Sequence, residues 1–316
     1  VPKVKASAAF PSGREATSPD ARPMHRVASL SRRVAPLLFL RNMAASSLPG
    51  SLGQPPVFAT VPPGECFFGE EWAPVPLVSR EVVTHDTRLL TFGLPEDKIL
   101  GLSTCACILL KCGEHDGEPV VRPYTPFSAN PAGKFELLVK IYPDGKATTW
   151  LDNLAEGEMV ECKHIPFNVK VQYPFGASKI VMLVGGTGIT PMIQALHAIL
   201  GNPEDTTEVL MLFGNRSQND MLAHDTLINW AEAFPNRLKV IDVLSGEPED
   251  SDWKGERGYL SQELLEKYGV QPSEDTICFV CGPPPMYKAL CGPRGDKELT
   301  GTLADMGFTA EQVVKF

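Results

Sequence analysis

The stretch "IVMLVGGTGITPM", residues 180–192, indicates which class of fold this chain adopts. It joins a continuous apolar run to three glycines and then to an amphipathic segment. This pattern predicts a buried strand, a tight turn and the start of a helix. A helix that begins after such a turn offers unpaired backbone N–H groups and the positive end of its dipole, which suit a pyrophosphate. The stretch therefore predicts a phosphate-binding turn in a parallel sheet.

The turn departs from the common dinucleotide fingerprint. Pro191 stands where a third glycine would be, and no acidic residue follows at the usual spacing. Pro191 nevertheless suits the first turn of a helix, where its missing N–H is not needed. An ordinary strand-to-helix turn with structural glycines remains the alternative at this point.

Three more strand–helix pairs follow the glycine turn. They are "TEVLMLFGN" with "DTLINWAEAF", "LKVIDVLS" with "SQELLEKYG", and "TICFVCG" with "PPMYKALCG". Alternating strands and helices predict a doubly wound parallel sheet, here over residues 176–316. The proline-rich "CGPPPM", residues 281–286, ends one of these strands and so lies at the same edge as the glycine turn. Together the two motifs predict a nicotinamide nucleotide site.

The region before the parallel sheet has a different sequence pattern. Between residues 70 and 175, six short β-rich runs are separated by turn signals and interrupted by one helical patch, "ATTWLDNLA". This spacing predicts an antiparallel β-barrel domain. Cys105 and Cys107 in "STCACILL" are expected on one face of a strand, as buried thiols. They lack the partners that a zinc site needs, so no metal is predicted.

One barrel run, "RPYTPFS" at residues 122–128, has an unusual composition for packing alone. In an extended chain Arg122 and Tyr124 share a face and Thr125 takes the other. Arginine suits a diphosphate, tyrosine offers a ring for stacking, and threonine offers a short hydrogen bond. The stretch is therefore a candidate ligand-binding segment, with a plain barrel strand as the alternative.

Charge is unevenly distributed along the chain. Residues 1–55 hold eight Lys/Arg and two acids, a net of +6; the whole chain carries −9, which leaves −15 for the remainder. An acidic body argues against nucleic acid as a partner. Residues 1–60 have the basic, Ser/Ala-rich composition of an organelle transit peptide, mitochondrial or alternatively plastid; a disordered tail is the other interpretation. The run "VAPLLFL" is too short to span a membrane but suits peripheral membrane or membrane-complex association.

Four motifs in order resemble the NADH–cytochrome b5 reductase family of the ferredoxin–NADP reductase superfamily. They are "RPYTPFS", "VKIYPDGKATTWL", "GGTGITPM" and "CGPPPM", and the ending "KELTGTLADMGFTAEQVVKF" looks most like organellar plant- and alga-type members. The resemblance implies two domains: an N-terminal antiparallel β-barrel that binds FAD and a doubly wound α/β domain that binds NAD.

The resemblance also implies roles for individual residues. Arg122 would hold the FAD pyrophosphate, Tyr124 would pack on the flavin, and Thr125, supported by His85, would lie near the reactive nitrogen. Cys281 would lie beside the nicotinamide, which makes Thr125, His85 and Cys281 the catalytic candidates. The remaining implied cofactor-binding residues are Pro123, Val139, Lys140, Tyr142, Gly145, Lys146, Ala147, Thr148, Gly185, Gly186, Thr187, Gly188, Pro191, Gly282, Pro283 and Met286.

The implied reaction passes a hydride from NADH to the flavin and then single electrons to a one-electron acceptor, a haem protein such as cytochrome b5. The alternatives are a structural or accessory subunit of an organellar membrane complex, or a reductase for a quinone or iron–sulfur acceptor. Ser245 stands where the family has an aspartate that excludes NADPH. Because Glu247, Glu249 and Asp250 follow it, we expect NADH to be favoured over NADPH.

Overall fold

The computed structural model describes residues 48–62, 64–165 and 170–316. Residues 1–47, which make up most of the predicted targeting segment, lie outside this range. Two six-stranded sheets follow each other along the chain. Within the described ranges, no helix combines the length and apolar character needed to cross a membrane.

The first sheet is antiparallel, in the order β4-β3-β6-β1-β2-β5. Side chains along β3 alternate, so that Ile108, Leu110 and Cys112 are buried while Leu109 and Lys111 are partly exposed. All six strands contribute to one apolar core, as a barrel requires, although no ladder joins β4 to β5 among the described residues. Its strands are β1 (Ala73–Thr84), β2 (Thr87–Gly93), β3 (Ile108–His115), β4 (Glu118–Tyr124), β5 (Lys134–Lys140) and β6 (Met159–His164).

One helix, α1 (Lys146–Asn153), covers this core as the sequence predicts. It buries Ala147 and Leu151, and its Trp150 ring lies against the backbone of Gly113. A Cβ at position 113 would come within 2.7 Å of that ring, and the backbone there has φ +73°. Glycine is therefore required at this position, because it alone avoids both the clash and the strain.

The second sheet is parallel, in the order β10-β9-β8-β7-β11-β12. The chain moves outward from β7 in one direction and then returns to β11 on its other side, so the topological switch point lies between β7 and β11. The strands are β7 (Lys179–Gly185), β8 (Glu208–Asn215), β9 (Leu238–Leu244), β10 (Glu256–Arg257), β11 (Thr276–Cys281) and β12 (Val313–Lys315). The helices are α2 (Ile189–Gly201), α3 (His224–Ala233), α4 (Gln262–Lys267), α5 (Pro284–Leu290) and α6 (Thr302–Asp305).

Helices cover both faces of this sheet. Met182 of β7 packs in a core with α2 and α3, whereas its neighbour Leu183 packs in a second core with α4, α5 and α6. Alternate side chains of one strand thus enter different cores, which is why these strands are apolar along their whole length. The doubly wound arrangement predicted from the sequence is confirmed.

The structure differs from the sequence-based expectation at "STCACILL". Strand β3 begins only at Ile108, and the preceding residues form a turn closed by a hydrogen bond from Ala106 N to Ser103 O. Cys105 lies in this turn with φ +63°. Both Cys105 and Cys107 are buried, but the prediction that they share one face of a strand is wrong, because the turn rotates the chain between them.

A second difference concerns residues 48–60, which the sequence composition assigns to the transit-peptide-like or disordered segment. Residues 48–58, here called the N-terminal strap, have defined contacts with both halves of the molecule. Leu52 is buried, Ser51 N donates to Glu136 of β5 at 2.8 Å, and Gln54 O accepts from the indole of Trp230 of α3 at 2.9 Å. The strap therefore packs against the apolar core that receives side chains from both halves of the molecule.

Candidate functional site

A cleft of about 1200 Å³ lies between the two sheets and receives side chains from both. The antiparallel sheet contributes the end of β4 and part of β5. The parallel sheet contributes the glycine turn after β7 and the proline-rich turn after β11. The carboxyl ends of parallel strands are where ligands of such sheets bind. The cleft is therefore the candidate site.

The segment "RPYTPFS" reaches the cleft where β4 ends at Tyr124. Pro123, Tyr124 and Thr125 line the cleft, and burial raises the pKa of the Tyr124 phenol, which keeps it neutral. Arg122 does not line the cleft; its exposed guanidinium donates to the carbonyl of Val121 at 2.8 Å. The segment thus presents a flat neutral ring and a hydroxyl to the cleft, with a cation beside it.

Helix α2 of the other sheet holds this segment in place. The Gln194 side chain donates to the carbonyls of Pro126 and Ser128, at 2.8 Å in each case. Between these two carbonyls, the Phe127 ring is completely buried in the core that α2 shares. The Ser128 hydroxyl accepts from Glu136 N at 3.0 Å. Residues 126–128 therefore anchor the segment, which leaves residues 123–125 free for a ligand.

The glycine turn brings two strand ends unusually close together. A Cβ at Gly188 would lie 2.1 Å from the carbonyl oxygen of Cys281, and one at Gly185 would lie 2.8 Å from the sulfur of Met286. Side chains are excluded at both positions by these contacts. Gly186 has φ +51° and open space beside it, at the mouth of the turn. Residues 186–188 form a 3-10 turn that leads directly into α2.

The turn after β11 forms the opposite wall. Cys281, Gly282, Pro283 and Met286 all line the cleft. Burial raises the pKa of the Cys281 thiol, despite a hydrogen bond with Tyr287 that acts to lower it. The thiol is therefore protonated at neutral pH, and these four residues present an uncharged, polarisable surface. Pro191 and Thr187, from the glycine turn, lie on the same lining.

Lys140 of β5 lines the cleft and links the two halves of the molecule. Its ammonium lies 2.7 Å from Asp86 and 3.2 Å from Asp220, which follows β8. Burial acts to raise the pKa of Asp86, but the hydrogen bond and charge of Lys140 outweigh it and lower that pKa. His85 and these two acids also lie within metal-ligand reach of one another. Because the Lys140 ammonium already pairs with both acids, the cluster is an ion-pair network and no metal is assigned to it.

Several residues implied by the resemblance lie outside the cleft lining. His85 is mostly exposed in a neighbouring depression, with the carboxylates of Asp86 and Asp220 within 4 Å, so its support of Thr125 stays a prediction. Val139 is buried in the barrel core. Tyr142 does line the cleft, and its backbone N–H donates to the hydroxyl of Thr148 at 3.2 Å. The implied phosphate-binding residues form the start of α1; they are Gly145, Lys146, Ala147 and Thr148. Their phosphate-binding role also stays a prediction.

Sequence reasoning missed several residues that line the cleft. Asn215 is the last residue of β8, Arg216 follows it, and Tyr259 follows β10 with 81 % of its surface exposed. Cys105 also lines the cleft, and its thiol donates to Pro191 O at 3.1 Å. Their positions at the ends of β8 and β10 could have identified Asn215, Arg216 and Tyr259, because every strand of a parallel sheet brings its carboxyl end to the same edge.

The residues present fit two nucleotide cofactors. Asn215 is 7 % exposed, and neither polar atom of its side chain has a hydrogen-bond partner among the described residues. Because a buried amide costs free energy when unpaired, a ligand in the cleft would satisfy it. The crowding at Gly185 and Gly188 leaves backbone, not side chains, at the phosphate-binding turn. The cleft is also large enough for more than one extended molecule, since single ligand sites span roughly 300–1000 Å³.

Comparisons with known proteins agree with this geometry. Residues 74–166 match the family described as Oxidoreductase FAD-binding domain, and residues 182–292 match Oxidoreductase NAD-binding domain. These spans fall on the antiparallel sheet and on the parallel sheet, respectively. The cleft between the sheets is thus bordered by both matched regions.

Named relatives and solved structures agree with one another. The chain is 38 % identical over 259 residues to NADH-cytochrome b5 reductase 2 of Kluyveromyces lactis, covering 80 % of this chain and 86 % of the relative. It is 40 % identical over 255 residues to the protein of the same name from Yarrowia lipolytica, covering 78 % and 86 %. The cytochrome b5 reductase domain of Ulva prolifera nitrate reductase superimposes with a TM-score of 0.69 at 30 % identity, covering 79 % of this chain and all of that one. This chain is a member of the NADH-cytochrome b5 reductase family.

Proposed function

We propose that this protein is a FAD-dependent NADH reductase that delivers electrons one at a time to cytochrome b5. The observation that carries the proposal is the single cleft in which the end of β4 meets the turns after β7 and β11. A flavin on the first and a nicotinamide on the second would lie against each other there. The names of the relatives support the donor and the acceptor.

The stoichiometry of the overall reaction defines the task of the protein. One NADH and two ferric haems give NAD⁺, one proton and two ferrous haems. Bound FAD supplies the chemistry that takes up two electrons together and releases them singly. The protein's part is to position the two rings and to control charge around them.

The lining residues suit this task. Tyr124 and Cys281 are both held neutral by burial, so neither places a charge beside the reacting rings. Prolines and glycines form much of the nicotinamide wall and fix its shape with few rotatable side chains. Lys140 keeps its ammonium tied to Asp86 and Asp220, which holds β5 against the loop after β8. The site therefore positions its ligands and has no need of a protein nucleophile.

An anaerobic titration tests the proposal. The purified protein, reconstituted with FAD, is titrated with NADH while the flavin absorbance is followed, and ferric cytochrome b5 is then added. We expect one NADH to bleach one flavin and the reduced protein to reduce two equivalents of cytochrome. A yellow protein that NADH does not bleach would support an accessory subunit. Bleaching without reduction of cytochrome b5 would point to a quinone or iron–sulfur acceptor.

We further propose that the protein acts in mitochondria, in peripheral association with a membrane. The basic, Ser/Ala-rich composition of residues 1–55 and the apolar run "VAPLLFL" support this proposal. Residues 1–60 fused to a fluorescent protein should direct it to mitochondria. Plastid or diffuse fluorescence would contradict this localisation. Extraction of the full-length protein from membranes by alkaline carbonate would support peripheral association.

A further inference from the structure

Cys105 has a backbone conformation that residues with side chains rarely adopt. Its φ is +63°, in the left-handed region that favours glycine, and the residue is 6 % exposed. Such a conformation costs free energy and persists only where the surrounding structure enforces it. Glycine would form the same turn without this strain. A strained, buried residue beside a ligand cleft is therefore a candidate for a functional role.

The Cys105 thiol reaches from the antiparallel half of the molecule to the parallel half. It donates to the carbonyl oxygen of Pro191 at 3.1 Å, in the first turn of α2. Both residues line the cleft. Pro191 lies three residues after Gly188, which is the last residue of the glycine turn. The thiol therefore contacts the helix directly behind the turn that forms one wall of the cleft.

The thiol acts as a hydrogen-bond donor and not as a nucleophile. Burial raises the pKa of the Cys105 thiol, so it keeps at neutral pH the proton that it donates. The thiolate is the form that attacks electrophiles and binds metals. Among the described residues, Cys105 belongs to no group of three side chains that could hold a metal ion. The contribution of the thiol is therefore its contact with Pro191.

Helix α2 has a second contact with the antiparallel half, three residues further along. The Gln194 side chain donates to the carbonyls of Pro126 and Ser128, at 2.8 Å in each case. Cys105 belongs to a different segment of the antiparallel half, so two separate segments hold the first two turns of α2. Thr125 directly precedes Pro126, and the glycine turn directly precedes α2. The distance between these two walls of the cleft therefore depends on both contacts.

We propose that Cys105 is a positioning residue for hydride transfer, whose thiol holds the glycine turn and α2 at the reacting distance from the flavin side of the cleft. The inference rests on the proposed function and assigns a residue that controls its rate. The hydride moves from NADH to the flavin, and Cys105 neither gains nor loses a proton. Because the rate of such a transfer falls steeply with misplacement, a small shift of α2 slows it without removing a contact with the nucleotide.

Three variants of Cys105 separate the thiol from the backbone strain. C105A removes the donor and keeps the strain, C105G removes both, and C105S keeps a donor of similar size. We expect C105A and C105G to slow the reduction of the flavin about 10-fold, with the dissociation constant of NADH changed by less than about 2-fold. C105S should stay within about 3-fold of the unsubstituted protein. Stopped-flow absorbance of the FAD-loaded protein over a range of NADH concentrations gives both quantities.

The melting temperature shows whether the rate merely follows stability. Because glycine relieves the strain at a positive φ, C105G should melt about 2 °C or more above C105A and yet be equally slow. The matched control is C162A. Cys162 is also fully buried, but its thiol donates to the carbonyl of Val160 in its own strand at 4.0 Å, and it does not line the cleft. C162A should lower the melting temperature and leave the rate of flavin reduction unchanged.

Hydrogen exchange of the FAD-loaded protein without NADH gives a readout that does not depend on activity. Backbone amides in the first two turns of α2 should exchange faster in C105A and C105G than in the unsubstituted protein, C105S or C162A. The inference is overturned if C105A or C105G reduces its flavin at the unsubstituted rate, if C162A is slowed equally, or if exchange in α2 is unchanged. Failure of NADH to reduce the flavin of the unsubstituted protein would instead refute the proposed function, so the two failures are distinguishable.

Discussion

Individual residues hold the cleft together through contacts that cross from one sheet to the other. Gln194 of α2 binds two carbonyls of the antiparallel half, and the Cys105 thiol donates to Pro191 O of the parallel half. Lys140 joins Asp86 to Asp220. The catalytic geometry therefore depends on side chains that themselves do no chemistry.

Arg122→Ala should release FAD while leaving the fold intact. The guanidinium is exposed and donates only to the adjacent carbonyl of Val121, as far as the described residues show, so little stability depends on it. A charge-assisted contact with a diphosphate is worth about 1.5–3 kcal/mol, which predicts an FAD dissociation constant raised about 10-fold or more. Fluorescence titration of the apoprotein with FAD measures it. Unchanged affinity would remove Arg122 from the pyrophosphate site.

Cys281→Ala should slow reduction of the flavin by NADH about 10-fold, because misplacement of a reacting ring by about 1 Å costs up to 100-fold. The Cys281 thiol is neutral and lies on the wall formed by Gly282 and Pro283. FAD content should stay normal. Stopped-flow absorbance gives the rate, and Cys281→Ser serves as the matched variant that restores the size of the side chain. An alanine variant as fast as the unsubstituted protein would exclude Cys281 from this role.

Lys140→Met should leave Asp86 and Asp220 as neighbouring uncompensated carboxylates and lower stability by about 1–3 kcal/mol. KM for NADH should rise as well, because β5 and the loop after β8 lose their link. Since both carboxyl pKa values are lowered in the folded protein, their contribution is complete above about pH 4 and is lost as the pH falls through the lowered values. Urea unfolding between pH 3 and pH 7 measures this. Lys140→Arg should retain most of the effect, and an equal loss in both variants would argue against the ion pairs.

Among the elements, the N-terminal strap is tied to α2 through a buried histidine. His197 is 2 % exposed, its Nδ1 accepts from Val57 N at 2.9 Å, and its ring packs edge-on against Trp230. Burial lowers the pKa of His197 to about 4. The imidazole must therefore stay neutral for the strap to remain bound, since protonation would remove the acceptor.

Acidification should therefore weaken the folded state through His197. The folded pKa lies below the unfolded value of about 6.5, so this contribution is complete above pH 6.5 and is lost as the pH falls towards 4. The expected loss is about 3 kcal/mol. His197→Gln keeps an acceptor but does not titrate, so the pH dependence of its unfolding free energy should be flatter by this amount. Parallel curves for the two proteins would contradict the assignment.

At the scale of the whole molecule, one of the apolar cores receives side chains from both sheets and joins them. This core contains Leu52 of the strap, Phe127 and Leu138 of the antiparallel half, and Met182 and Ile193 of the parallel half. Because the interface is apolar and continuous, the two halves should unfold together, as one cooperative transition in calorimetry.

Phe127→Ala should separate this transition into two. It empties a fully buried position at the interface, at a cost of about 3–5 kcal/mol. Phe135→Ala removes the same ring from the barrel core alone and should lower the midpoint while leaving a single transition. Differential scanning calorimetry at saturating FAD distinguishes the outcomes. A single transition in both variants would show that the interface is held by other contacts.

Much of this organisation was predictable from local sequence. The alternation of strands and helices after residue 176, the six barrel strands and helix α1 follow from periodicity and turn signals, and the structure has each of them. The cleft lining from Pro123 to Thr125 and from Gly185 to Gly188 follows from motifs. The roles inferred for His85 and for residues 145–148 stay predictions, because they depend on where a ligand binds.

The fold class, the family and the two turns at the nucleotide edge are readable from the amino-acid sequence, because periodicity, glycines and prolines act over a few residues. Which distant residues meet depends instead on the folded chain. The strap reached Trp230, Gln194 reached the carbonyls on either side of Phe127, and Arg216 came to lie beside Ser245. The physical reason is that parallel strands align their ends across long stretches of intervening chain, so the charge around a ligand depends on sheet register and not on sequence neighbours.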